Sequence, residues 1–147
     1  MILDDLTQLE DSTAFTAGTT YTTYCYDCGN VTPKREIGTG EPMCLVFSVG
    51  VAAAGSTDTT SIAATSGTSA TNGATGAKEL ASRVIANASL TAGSRHVVTI
   101  PPGSVDQRYI YGRIVLGSGD TITVDVNMIP VSFVGIFTNY ADNVTWS

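Results

Sequence analysis

Two cysteines three residues apart, Cys25 and Cys28 in "TYCYDCGN", have the spacing of a zinc knuckle or a redox pair. Each chemistry needs the two sulfurs to converge, on one ion or on each other at the junction of a strand and a helix. The surrounding Tyr21 to Asp27 run is rich in β-branched and aromatic residues, which favours a strand. Side chains an odd number of positions apart on a strand face opposite ways. The spacing therefore predicts that Cys25 and Cys28 point apart. Cys44 and the single histidine, His96, could complete a Cys3His set, but a second ligand pair at knuckle spacing is missing. The expectation is three reduced thiols that pack as small apolar residues, with no metal and no cofactor.

Other catalytic constellations are equally thin. A cupin-type metal site needs two or three histidines, and a serine hydrolase needs a base beside its nucleophile, commonly in a G-x-S-x-G turn that this chain lacks. Carboxylate pairs for glycoside cleavage could be drawn from Asp4, Asp5, Glu10 and Asp11 or from Asp120 and Asp125, but no spacing singles one out. The acids read as solvated strand faces and turns, and the chain as a non-enzyme. A formal net charge of −6 with seven scattered basic residues speaks against nucleic acid as a direct partner. No apolar run is long enough to span a membrane, and no export signal stands at the start. The odd cysteine count fits a reducing compartment, so the sequons at Asn30, Asn87 and Asn143 read as chance matches.

Whatever the chain does must be positioned by strands. In "DTITVDVNMIP", Ile122, Val124, Val126 and Met128 share one face and Thr121, Thr123, Asp125 and Asn127 the other, as a half-buried antiparallel strand requires. "RYIYGRIVL" precedes it, and the "GSGD" link has hairpin chemistry, so the two are predicted to pair with each other. "PMCLVFSVGVAA" sets Met43, Leu45, Phe47, Val49 and Val51 against Cys44, Val46 and Ser48 and reads as a central strand. "RHVVTI" is stopped by Pro101 and Pro102. The Gly/Ala/Ser/Thr-rich segment 54–77 is expected to hold a strand near Thr57–Thr65 and then a mobile loop. "KELASRVIANASL" suits a helix or a strand and is assigned to a strand from its strand-rich context, with Leu80, Ser82, Val84 and Ala86 on one face. The sum is a single all-β domain, a jelly-roll-like antiparallel β-sandwich. It is expected to carry an N-terminal arm of about residues 1–17 and a C-terminal tail over 130–147.

The order of an extended start, "MILDDLTQLEDSTAFTA", a strand closing in "YDCG", an "IGTGEP" turn feeding "MCLVFSVGV", and the later "AGSRHVVTIPPGSVDQRYIYGRIVLGSGDTITVDVNM" resembles the capsid cement, or decoration, proteins of tailed bacteriophages. The resemblance spans about Met1 to Met128. It implies a non-enzymatic virion component, made in the host cytoplasm, that binds the outer surface of the assembled head. Its implied partners are the major capsid protein and further copies of itself, as a dimer or other small homo-oligomer. At "YDCG" the family pattern tolerates an aliphatic residue where Cys28 stands, which favours packing over ligation. The tail "IPVSFVGIFTNYADNVTWS" runs past the usual end of such proteins. Candidate contact residues are Ile2, Leu3, Leu6 and Leu9 at the start, and Phe133, Phe137, Tyr140 and Trp146 at the end. A carbohydrate-binding or fibre-type sandwich, with Tyr109, Tyr111 or Trp146 as a sugar platform, is the alternative.

Overall fold

The computed structural model describes residues 8–29, 40–55 and 59–134. Among these residues seven strands form in chain order: β1 (Gln8–Tyr21), β2 (Tyr26–Asp27), β3 (Met43–Ala54), β4 (Thr59–Gly67), β5 (Lys78–Ala86), β6 (Arg95–Thr99) and β7 (Tyr109–Pro130). All pairings are antiparallel, and the domain is an all-β sandwich, nearly closed, as the alternation predicts. Short 3-10 turns at Asn87–Ser89 and Val131–Phe133 are the helical elements assigned among the described residues.

The two layers are halves of one bent sheet, and β7 makes the bend. Its first half, Tyr109 to Val115, pairs with β4, which pairs with β5. Its second half, Thr121 to Pro130, pairs with β3, which pairs with β6. β1 follows the same course along the other side of β7, with Gln8 to Thr16 on the second half and Gly18 to Tyr21 on the first. "GSGD" is therefore no hairpin turn. The chain runs through it as strand, and the two segments expected to pair with each other lie end to end.

The reason is local. Gly18 (φ 104°) and Gly119 (φ 80°) take backbone conformations that L-residues rarely adopt, on the two strands where they turn the corner together. A register shift between Thr16 and Gly18 skips Gly117 to Asp120 on the partner strand. Bends and bulges of this kind let a strand pass from one layer of a sandwich to the other.

The even-numbered apolar residues of β7 face inward: Ile110, Ile114, Leu116, Ile122, Val124, Val126 and Met128 all lie in the core. They meet Leu45, Phe47 and Val49 of β3, Val98 of β6, and Ile62, Ala64 and Ile85 of β4 and β5. Small residues explain the course of β4. Ala63, Ala64, Thr65, Ser66 and Gly67 are all buried in a strand flanked on both sides, so the thin segment is a central strand and not a linker. On β5 the inward residue is Ile85, while Val84 is 67% exposed, which corrects the face assigned from the alternation. A bulge opposite Ala64 and Thr65 breaks the period there. Val51 likewise leaves the face of Val49 after a register shift and is exposed.

Three further expectations are corrected. The extended start is part of the sandwich from Gln8 onward, because Leu9 and Phe15 fill the core and the backbone pairs with β7. Tyr21 to Cys28 is not one strand: β1 ends at Tyr21 and only Tyr26 and Asp27 rejoin β7. The loop after β4 is bonded in place, with Thr68 N donating to Thr75 O at 3.0 Å and the Tyr111 hydroxyl donating to Ser69 O.

Candidate interaction surface

Sequence reasoning looked for partner contacts at the chain's ends, and the fold brings the described parts of those ends together. Gln8 lies opposite Asn127, and Met43 opposite Pro130. Beyond β7 the chain turns at Val131–Phe133, where Val131 N donates to Pro42 O at 2.7 Å and the Ser132 hydroxyl donates to the Glu41 carboxylate. One end of the β6-β3-β7-β1 layer therefore holds Gln8, Glu41 and Val134, each at or within one residue of a segment outside the described residues.

On the outer face of this layer, turned away from the core, Cys44, Val46 and Ile129 form a second buried cluster, with Val97, Val131 and Val134 packed against it. Burial pushes the Cys44 thiol up to about 11, and its sulfur donates to Ile129 O at 3.5 Å. A thiol held protonated is a packing group, not a nucleophile. Phe133, which follows Val131 in the chain, is 37% exposed. Leu9 is different: with no exposed surface, it is a core residue of its own domain and is withdrawn as a contact. Ile2, Leu3, Leu6, Phe137, Tyr140 and Trp146 lie outside the described residues.

The thiols of the C-x-x-C pair go to different places. Cys28 sits in the main core, while half-buried Cys25 contacts Ala70 O at 3.7 Å beneath the loop after β4. Neither forms a disulfide, and no group of three metal-ligating side chains assembles among the described residues. Tyr111, a proposed sugar platform, is 1% exposed, and its phenol is raised above the usual range by burial first and by its Cys25 neighbour second. Tyr109 lies under the Arg108 guanidinium, 5.1 Å from the ring centre. Neither offers a bare aromatic face.

Glu10 and Asp120, read from the sequence as solvated acids, are buried instead, and with half-buried Asp125 they serve the backbone. Glu10 accepts from Thr13 Oγ1 at 2.5 Å and from Thr23 N at 2.7 Å, which ties the β1 bulge to the bend that follows the strand. Asp120, at the corner of β7, accepts from Asn87 Nδ2 at 3.2 Å, and Asn87 Oδ1 accepts from Thr60 Oγ1 at 2.7 Å. Asp125 Oδ1 accepts from Ser12 N at 2.5 Å and holds the bulge residue at φ 46°. Their signal was their place in the alternation: each acid falls where a bulge or corner leaves an N–H or amide without a ladder partner.

At the surface, Lys78 pairs with Asp106 at 2.6 Å, Arg108 makes a two-pronged pair with Asp27 at 2.9 Å, and Arg113 pairs with Glu79. Lys78 holds the Asp106 carboxyl below its ordinary value, and Arg113 does the same for Glu79. Such exposed pairs contribute little to stability, because solvent screens them. Their main effect is to spend these cations on neighbours within the chain.

The family model named Bbp16 matches residues 9–127. The chain belongs to the Bbp16 family. No curated protein sequence matches it at significance. The matched span runs from the second residue of β1 to near the end of β7, so the likeness to Bbp16 is carried by the sandwich itself. Seven of the eight candidate contact residues fall outside it, and the eighth is the core residue Leu9.

His96 yields a pH dependence for this Bbp16-family sandwich. The ring faces inward from β6, opposite Phe47 of β3, and Nε2 lies 3.1 Å from Ser94 Oγ. Ser94 Oγ gives its own proton to Thr91 O at 2.6 Å, so Nε2–H is the donor to it. Burial first, and the charge of Arg83 on β5 second, lower the pKa from 6.5, against an opposing hydrogen bond to the Ser89 backbone. With the folded pKa depressed, the unfolded chain binds the proton more readily as pH falls. Stability is expected to drop from about pH 6.5 downward and to level off below the folded pKa. The single histidine resonance should titrate below 6.5 and move upward in Arg83→Gln; titration at or above 6.5 would refute the assignment.

Proposed function

We propose that the protein is a structural cement, or decoration, subunit of a phage head. It binds the outer surface of the assembled shell, contacts the major capsid protein, and acts without catalysis. The observation that carries this reading is the placing of Gln8, Glu41 and Val134 at one end of the sandwich. A clamp needs a rigid body and contact segments that start from one place. The apolar residues expected to make contact, Ile2, Leu3 and Leu6 on one side and Phe133, Phe137, Tyr140 and Trp146 on the other, belong to segments that start there. The resemblance of the strand order to capsid cement proteins supports the same reading. A subunit that binds only the assembled shell stabilises it by mass action. Aromatic anchors within a largely uncharged contact imply weak dependence on salt.

Co-sedimentation of purified protein with undecorated heads tests this. Wild type should pellet with heads and not with free shell subunits, and raised salt should strip it only weakly. Trp146→Ala is expected to release it at a temperature where wild type stays bound, at a cost of about 2 kcal/mol per site. Full retention by that variant would show that the tail is not the anchor. Binding to glycans and never to heads would overturn the cement reading.

A further inference from the structure

We propose that Asn72–Gly73 is a self-modifying site, where the folded chain converts the Asn72 amide through a cyclic imide to aspartate or isoaspartate. Asparagine is among the thermolabile residues, and its weakness is greatest where the next residue places no side chain over the reacting nitrogen. This fold requires glycine at 73, because a Cβ there would lie 2.7 Å from Tyr21 Cβ. Asn72 is exposed in the turn, and its Oδ1 accepts from Ala74 N at 2.9 Å. Neither Asn72 Nδ2 nor Gly73 N makes a hydrogen bond among the described residues, so the leaving group and the nucleophile are both unengaged.

The step balances with water as co-reactant. Gly73 N loses its proton and bonds to Asn72 Cγ, and the negative charge that develops on Oδ1 faces the Ala74 N–H already pointed at it. The Cγ–Nδ2 bond then breaks and ammonia leaves. Water opens the imide at either carbonyl. The other described asparagines are held differently: Asn87 is tied through both ends of its amide to Thr60 and Asp120, and Asn127 is 3% exposed within β7.

The product adds a negative charge, and its isoaspartate form lengthens the main chain by a methylene in a loop closed between Thr68 and Thr75. That loop covers Cys25 through Ala70 and holds Tyr111 through Ser69. Conversion therefore loosens the cover over Cys25.

Purified full-length protein kept folded in warm, mildly alkaline buffer should gain, in the peptide containing Asn72, the mass of exchanging NH for O. The peptides of Asn87 and Asn127 should not. Asn72→Ser keeps a short oxygen for the Ala74 N–H and lacks the amide, so its peptide should show no gain. After ageing, alkylation mapped to Cys25 should be faster in wild type than in Asn72→Ser. An unchanged Asn72 peptide, or equal gain at Asn87 and Asn127, overturns the site. Modification with equal Cys25 alkylation in both proteins overturns the loosening of the loop.

Discussion

Phe47→Ala is expected to lower unfolding stability by about 3–5 kcal/mol, the range for truncating a fully buried aromatic residue. Phe47 is 1% exposed on β3 and lies opposite Val126 in the second half of β7 and His96 on β6. Its ring also reaches the other layer. Phe47 Cε1 lies 3.5 Å from where a Cβ on Gly112 would stand, and Gly112 belongs to the first half of β7. The ring thus fills the space between the layers on the inner side of the bend. Urea titration should show a lower midpoint with an unchanged slope. Gly112→Ala makes the complementary error, since its Cβ would meet Thr22 Cγ2 at 2.9 Å and Val126 Cγ1 at 3.1 Å, and should cost about 1–3 kcal/mol. A loss below about 1 kcal/mol in Phe47→Ala would mean that the layers are held together elsewhere.

Strand content was legible because half-buried antiparallel strands write their faces into the sequence. "TITVDVNM" could be read residue by residue, and all four of its apolar side chains are in the core. The error at "GSGD" was also visible in the phase. A four-residue link from Gly117 to Asp120 would set Leu116 opposite Thr121, which would put a threonine on the apolar face. The apolar positions instead keep the same parity from Ile110 to Met128, as one uninterrupted strand requires. Turn-forming residues were weighed above that phase, yet glycine serves a corner as readily as a hairpin. Bulges explain the remaining misread faces. The extra residues near Ser12, Val51 and Leu80 each shift the period by one, and alternation holds no record of a shift until the partner strand is known.

The candidate surface was legible only in part, for a related reason. Leu9 and Phe133 are both apolar residues close to a chain end, and nothing in their immediate sequence separates a core strand from a contact. What separates them is pairing: Leu9 lies within a strand bonded to β7, whereas Phe133 lies past the proline that ends β7. The buried outer cluster of Cys44, Val46 and Ile129 was hidden differently. A strand covered on both faces loses its alternation, and "MCLVF" shows this as a continuous apolar run.

Gly55→Ala should be the most damaging single methyl addition in the described chain, with a loss of about 3 kcal/mol or more. Two costs combine at this position. Gly55 has φ 141°, where an L side chain is strained, and a Cβ there would lie 1.8 Å from Asp120 Oδ1 and 2.7 Å from Asp120 Cα. Asp120 cannot easily yield, because it is fully buried at the corner of β7 and holds Asn87, which in turn holds Thr60 of β4. Gly93→Ala separates the two costs. Gly93 also has a positive φ, 84°, but nothing lies within 4 Å of its Cβ position, so only the backbone penalty of about 1–2 kcal/mol should appear. A double-mutant cycle then tests the contact. Asp120→Ala alone removes a buried acceptor and should itself destabilise, but combined with Gly55→Ala it relieves most of the collision with the carboxylate. The double variant should be more stable than the sum of the single losses predicts. Strict additivity would show that Gly55 is required for its backbone conformation alone and that the corner does not depend on this approach.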